Sequence, residues 1–307
     1  MTQTVLVAGA TGMLGGRIAS HLLEQPETDV RLLVRSGTMS DPAKKNQVSA
    51  LTDRGARVVE GDLTDHASLD RATMGVDVIV CAAQGGPDVT IDGQLALVEA
   101  GKKHGVRRIL PSDFTVDLFE ATEGGSMLLD MRRRVDKAIQ ASGLEYVHVL
   151  NGLFMEMFLH PYFAPGMFDV EDGIARTWGE GDERFEVTSV EDVARYSARA
   201  AVDRSLPSGK FAVAGQRITF DEITQAFERV TGRTFRRERR GSIADLQAWI
   251  ADARATDPHS LPATAAAHQL FMLTGLTALK DLQNDRYPDI HPETYAEYLR
   301  RTLGVKA

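Results

Sequence analysis

Short apolar runs alternate with amphipathic stretches through the first half of the chain. Runs readable as strands lie at Thr4–Ala8, Val30–Val34, Arg57–Glu60, Val76–Cys81, Arg108–Pro111 and Tyr146–Leu150. Helical periodicity fills the intervals, at about 13–25, 43–54, 66–74, 90–104 and 127–142. Strands and helices alternating at this length predict βαβ units and a parallel sheet covered on both faces. The alternation loosens after Asn151. Gly152–Gly181 is rich in aromatic residues and methionines, including Phe154, Phe158 and Trp178, and is broken by Pro161 and Pro165. It either packs under a long loop or walls an apolar pocket. Its place after the last strand favours the pocket, lined by Phe114, Phe154, Phe158 and Trp178.

Val190–Ala201 reads as a helix and Lys210–Ala214 as a strand that rejoins the main sheet. Thr219-Phe220-Asp221-Glu222 is a capping box that starts another helix. Thr234–Arg239 is strand-like, and Ser242–Arg254, Pro262–Gly275 and Pro292–Leu303 read as helices. The expected fold class is α/β: a doubly wound parallel sheet with a smaller, mostly C-terminal domain. Residues 1–152 would form the first domain, with 186–214 returning to it. Residues 153–307 would form an interleaved substrate-binding region.

The first strand runs into Gly9-Ala10-Thr11-Gly12-Met13-Leu14-Gly15, and a helix follows. Glycines at this spacing permit a tight turn and let backbone N–H groups approach a pyrophosphate at a helix N-terminus. Arg35 ends the second strand, 20 residues beyond Gly15. An acid at this place would hold a ribose 2′-hydroxyl, whereas a cation suits a 2′-phosphate. The first 35 residues therefore propose a Rossmann-type NADP(H) site. The competing reading is an ordinary glycine-rich turn.

The 307 residues carry a net charge of −8, which argues against general binding to nucleic acid or anionic membranes. The basic tract Arg236–Arg240 reads as a solvated edge. Cys81 is the only cysteine, so neither an intramolecular disulfide nor a Cys-based metal site can form. No His, Asp or Glu cluster has metal-ligand spacing, and no metal is expected. No apolar run reaches the length of a membrane span, and no basic leader precedes the first strand. The expected compartment is the cytoplasm.

Beyond the glycine turn, Arg35-Ser36-Gly37-Thr38-Met39-Ser40-Asp41-Pro42-Ala43-Lys44 resembles a loop of the plant isoflavone reductases and phenylcoumaran benzylic ether reductases. These belong to the NmrA-like group of atypical short-chain dehydrogenases. Gly61-Asp62-Leu63-Thr64-Asp65-His66-Ala67-Ser68-Leu69 and Arg108-Ile109-Leu110-Pro111-Ser112-Asp113-Phe114 are similar to the same group. So is Asn284-Asp285-Arg286-Tyr287-Pro288-Asp289, near the end. The resemblance implies that Gly9, Thr11, Gly12, Met13, Leu14 and Gly15 cradle the pyrophosphate. Arg35 and Lys44 would hold the 2′-phosphate. Ala82, Ala83 and Gln84 would lie along the cofactor, and Asn151 and Phe154 near the nicotinamide. The plainer readings are two exposed cations for Arg35 and Lys44, a capping residue for Asn151 and a core aromatic for Phe154.

One departure stands out. The reductases place a catalytic lysine six residues before the Ala-Ile of the helix after the Pro-Ser-Glu-Phe motif. Here Ala138-Ile139 follows Arg132 at that spacing. Arginine stays charged and does not exchange protons near neutral pH, although it can steady a developing oxyanion. Alternatively, Arg132 belongs to a solvated run, Arg132-Arg133-Arg134. The Tyr-x-x-x-Lys pair of ordinary short-chain dehydrogenases is missing, and Asp113 stands where the motif carries Glu. His148 and His160 flank the Asn151 segment as weaker proton donors, and His148 reads more simply as a structural histidine.

The expected function is an NADPH-dependent reductase of a small apolar or aromatic acceptor, a carbonyl, quinone or relative, with Arg132 as the catalytic residue. The alternative is a non-catalytic NADP(H)-binding regulator with a protein partner. An epimerase or dehydratase is disfavoured by the missing Tyr-x-x-x-Lys pair.

Overall fold

The computed structural model describes residues 2–159, 167–169, 172–257 and 260–305. The first half runs β1 (Gln3–Ala8), α1 (Met13–Leu22), β2 (Thr28–Val34), α2 (Pro42–Thr52), β3 (Arg57–Glu60), α3 (His66–Ala72) and β4 (Val78–Cys81). It continues with α4 (Gln94–His104), β5 (Arg108–Leu110), α5 (Met127–Ser142) and β6 (Glu145–Leu150). The second half comprises β7 (Leu153–Phe154), β8 (Phe168–Asp169), β9 (Ile174–Trp178), β10 (Phe185–Thr188), α6 (Val190–Val202), β11 (Gly209–Ala212) and β12 (Gln216–Ile218). Then come α7 (Phe220–Thr231), β13 (Arg236–Gly241), α8 (Ile243–Thr256), α9 (Leu261–Leu273) and α10 (Tyr295–Leu303).

Seven strands form one parallel sheet in the order β11-β6-β5-β4-β1-β2-β3. Alternation along β1 explains why both faces need cover. Val5 and Val7 pack towards α1 and α6, with Ile18, Leu22, Val193 and Ala194. Leu6 and Ala8 face the opposite core, with Leu69, Leu97 and Ile139 from α3, α4 and α5. The strand order reverses between β1 and β4, so the loops leaving their C-terminal ends diverge and open a crevice.

The chain returns to this sheet late. α6 packs on α1, and β11 adds to the sheet edge beside β6. Within the stretch 186–214, β10 departs from the expectation: it pairs with β7 and β12 in a separate small sheet. A third sheet joins β13, β9 and β8. The smaller domain has its own core, built from Leu153, Phe185, Phe220, Phe227, Tyr295 and Leu299. The segment Asn284–Asp289 ties the chain's end to the first domain. Asn284 donates to the Ala214 carbonyl at 2.9 Å, and Arg286 and Tyr287 both reach Asp203.

Two local expectations need adjusting. The helix expected over 90–104 opens with a wider, π-type turn at Asp88–Gly93 before α4 begins. The capping box at Thr219 forms with Glu222, but Ser242–Asp245 and Thr294–Glu297 form further boxes that the pattern did not single out. The basic tract lies in β13 as an exposed strand whose arginines pair with acids, including Arg237 with Glu228 and Arg239 with Glu180. No helix among the described residues is long and apolar enough to cross a membrane.

Arg108 holds the late return in place. Only 1% exposed, it donates to the carbonyls of Ala200 (2.9 Å), Asp203 (2.6 Å) and Leu206 (2.6 Å), and pairs with Glu145 (2.9 Å). These carbonyls come from the last turn of α6 and the loop after it, where helix carbonyls lack partners. Arg108→Met keeps the bulk and removes the donors. Leaving buried carbonyls unsatisfied costs roughly 1–3 kcal/mol each. We expect chemical denaturation to show a loss of about 3 kcal/mol or more; a loss below about 1 kcal/mol would show that the α6 terminus finds other donors.

Candidate functional site

The glycine loop lies at the sheet's reversal point. Gly9 has φ +89°, and a Cβ there would stand 2.6 Å from the Ala82 carbonyl oxygen. A Cβ on Gly15 would stand 2.3 Å from the Gly9 carbonyl oxygen. Side chains at either position would push the loop off the ends of β1 and β4. α1 then starts at Gly12 with no side-chain cap and no acid in its first turn, so its leading N–H groups are open to an anion. Thr11 and Leu14 are half-buried, while Met13 is exposed at the helix start. Ala82 and Ala83 are half-buried and Gln84 is exposed beside the loop.

Arg35 is exposed at the end of β2, and its charge helps hold the Asp62 carboxyl below its usual range, after the larger effect of the Thr64 backbone N–H. Lys44 lies in the first turn of α2 and is 3.7 Å from Asp41, the residue that caps that helix. A 2′-phosphate would compete with Asp41 for Lys44.

The Pro-Ser-Asp-Phe segment after β5 is clamped across the crevice. Ser112 Oγ donates to the Ala83 carbonyl (2.8 Å), and the Ser112 N–H donates to Gln94 Oε1 (2.9 Å). Phe114 follows with φ +26°, an unfavourable conformation for a bulky residue. Its ring is buried in the main core. After β6, Asn151 is fully buried. Its Nδ2 donates to the Gly152 carbonyl, whereas its Oδ1 has no partner. Phe154 is partly buried against the main core.

The spacing along the chain gives no hint of the cluster beneath these loops. Asp113, Asp136 on α5 and His148 on β6 are each 1% exposed and converge within 4.8 Å. His148 Nδ1 lies 2.7 Å from Asp113 Oδ2 and 3.5 Å from Asp136 Oδ1. His148 is therefore paired, as a structural histidine would be, but its Nε2 is left without a partner. Neither Asp136 oxygen receives a hydrogen bond. Burial and the neighbouring Asp113 carboxyl push Asp136 up to about 9, so it is the neutral acid at neutral pH.

Arg132 sits one turn before Asp136 and is 8% exposed, so the solvated-run reading fails for it. Successive helical residues are rotated by about 100°, which sends Arg133 to Asp130 and leaves Arg134 exposed. Arg132 has no ion-pair partner within 4 Å among the described residues. Burial lowers its pKa, opposed by Asp113 and Asp136. His268 on α9 also feels the Arg132 charge; burial first, and then Arg132, lowers it below the usual histidine range. His268 Nδ1 lies 3.1 Å from the Thr264 carbonyl. A cleft of about 390 Å³ opens over another face of α5, bordered by Ile91, Met127, Asp130, Met131, Arg134, Arg254 and Thr264; Arg132 and His268 do not line it.

The aromatic segment is placed differently from expectation. Phe158 is 5% exposed and packs on Phe185 and Tyr295, which puts it in the smaller domain's core rather than on a cleft wall. Trp178 packs against the α8–α9 cluster. His160, Pro161, Tyr162, Phe163 and Pro165 lie outside the described residues.

Comparison with known proteins agrees with this architecture. Residues 1–269 match the NmrA-like family. The phenylcoumaran benzylic ether reductase IRL1 of Ginkgo biloba is 27% identical over 309 residues, covering 97% of this chain and 98% of that protein. The isoflavone reductase homolog IRL of Zea mays is 29% identical, again covering 97% and 98%. A solved structure of AtPrR2 with NADP+ and (+)pinoresinol superposes with a TM-score of 0.83 at 27% identity, covering 98% of this chain and 99% of that one.

The Asp136 proton has a measurable consequence. An acid raised from 3.8 to about 9 keeps its proton in the folded chain while the unfolded chain releases it. Its contribution to stability therefore falls as pH rises from about 4 towards 9. Asp136→Asn removes this dependence. We expect urea denaturation to show the variant gaining on the wild type by about 1 kcal/mol or more between about pH 5 and pH 8.5. A constant difference between the two proteins would contradict the assignment.

Proposed function

The chain belongs to the NmrA-like family, and from that premise we propose that it is an NADPH-dependent reductase of a small apolar or aromatic acceptor, with Arg132 acting at the reacting oxygen. The observation that carries this reading is Arg132 itself: a buried guanidinium with no ion-pair partner among the described residues, held near the Asp113 and Asp136 carboxyls without touching them. Buried charge is ordinarily paired, so an unpaired one is available to a ligand.

The residues present suit the cofactor. The open N-terminus of α1 and the close-packed Gly9–Gly15 turn accommodate a pyrophosphate, and Arg35 with Lys44 supplies positive charge for a 2′-phosphate. Asn151 brings an unpartnered buried oxygen to the C-terminal edge of the sheet, where an amide N–H would satisfy it. The relatives above are named as reductases, and AtPrR2 is solved with NADP+, which supports turnover over a regulatory role.

NADPH, when bound, would supply the hydride. Arg132 would stabilise negative charge developing on a carbonyl or quinone oxygen, and its permanent charge prevents it from donating the proton. His268, kept neutral by burial and by Arg132, adds a polar edge without a second charge.

Two kinetic results test this. Arg132→Ala should lower kcat on the order of 10²-fold, the usual scale for losing an oxyanion-stabilising group, with NADPH affinity changed less than about threefold. Wild-type turnover on a confirmed quinone or carbonyl acceptor would remove Arg132 from the chemistry. Arg35→Ala should weaken NADPH binding by about 10-fold or more, as a charge-assisted contact worth roughly 1.5–3 kcal/mol is lost. NADH binding should stay unchanged; an equal loss for both cofactors would show that Arg35 does not read the 2′-phosphate.

A further inference from the structure

Asp136 and Arg132 are four residues apart on α5, a spacing at which an aspartate and an arginine readily form an ion pair. Both are buried, where such a pair would be least screened. Yet no contact within 4 Å joins them, and Asp136 turns instead towards another carboxyl, Asp113. Two buried carboxyls side by side, with no donor on Asp136, require something positive between them. A proton or a metal ion would satisfy them.

The surroundings favour the proton. A divalent cation would add like charge next to the Arg132 guanidinium. A single proton leaves one negative charge on the carboxyl pair, which matches one positive charge on Arg132. His148 Nδ1 donates to Asp113 and fixes it from the β6 side. The other groups facing the pair do not change this balance. Cys81 at the end of β4 is pushed up to about 12 by burial, with Asp113 adding to it, so it is a thiol. Tyr146 packs its ring on His148. Lys210 stands over Phe119, whose ring edges His148, and is already paired with Asp117. His268 faces Arg132 from α9.

We propose that Asp113 and Asp136 share one proton, and that this proton keeps Asp136 from capturing Arg132, so that the guanidinium stays free for an acceptor. Asp136 is thus a positioning residue that acts through Arg132. The consequence for turnover rests on the reductase reading above; the shared proton does not. Losing the proton turns Asp136 into a second buried anion one helical turn from Arg132. The guanidinium is then drawn into an i,i+4 pair and withdrawn from an acceptor.

The test follows the Arg132 Nε–H signal by NMR in the full-length, ligand-free protein labelled with ¹⁵N-arginine, with the signal assigned by its loss in Arg132→Lys. In the wild type it should shift with an alkaline midpoint. In Asp136→Asn, which has the shape and charge of the protonated acid, it should stay fixed. In Asp113→Asn the midpoint should move towards acid, because the anionic neighbour is gone. A flat wild-type titration, or the same titration in Asp136→Asn, overturns the proposal. So does a stoichiometric divalent metal, found by elemental analysis, that EDTA removes and Asp136→Asn abolishes. In steady-state reduction of a quinone by NADPH, kcat should fall at alkaline pH in the wild type and hold level in Asp136→Asn. An alkaline fall of kcat that persists in Asp136→Asn overturns the link to Arg132. Failure to reduce any acceptor would sink the reductase reading while the NMR titration still decides the shared proton.

Discussion

A buried guanidinium must be balanced by negative charge, and Arg132 is balanced by carboxyls that do not touch it. That constraint organises the middle of the molecule. α5 carries Arg132 and Asp136 on one face, the segment after β5 brings Asp113, and β6 brings His148. The parallel sheet holds the last two in register, because β5 and β6 pair directly. The close-packed turn between Gly9 and Ala82 then fixes the other wall of the crevice. Charge balance on one side and backbone contact on the other frame the region where the reductase reading places the ligand.

The late part of the chain completes this arrangement. α6 and β11 return to the sheet and are tied there by Arg108 and the Asn284–Asp289 segment. α9 brings His268 up to Arg132. α8 and α9 also border the cleft over α5, through Arg254 and Thr264, and the smaller domain has an aromatic core of its own. Phe158 belongs to that core, packed on Phe185 and Tyr295.

Much of the first domain was legible because strands buried on both faces read as continuous apolar runs, as Val5–Ala8 and Val78–Cys81 do. The glycine turn was legible for a related reason, since only glycine tolerates the Gly9 conformation and contacts. The cluster of Asp113, Asp136 and His148 was not, because it joins residues 23 and 12 apart through tertiary packing. Arg132 was ambiguous in one dimension. In a run of three arginines, only the helical rotation and the neighbours of α5 decide which one turns inward. The short strands β7, β8 and β9 were hidden by irregular sequence: β7 and β9 take partners far along the chain, in β10 and β13, and β8 is a two-residue strand paired locally with β9.

The central claim is that the Arg132 guanidinium stands at the site of reduction. A crystal structure of the NADPH complex measures this most directly. The account predicts the pyrophosphate against the Gly9–Gly15 turn and the nicotinamide ring beside Arg132, with an acceptor-sized space between that ring and His268. A nicotinamide ring seated away from Arg132, with the guanidinium paired to Asp136 instead, would contradict it.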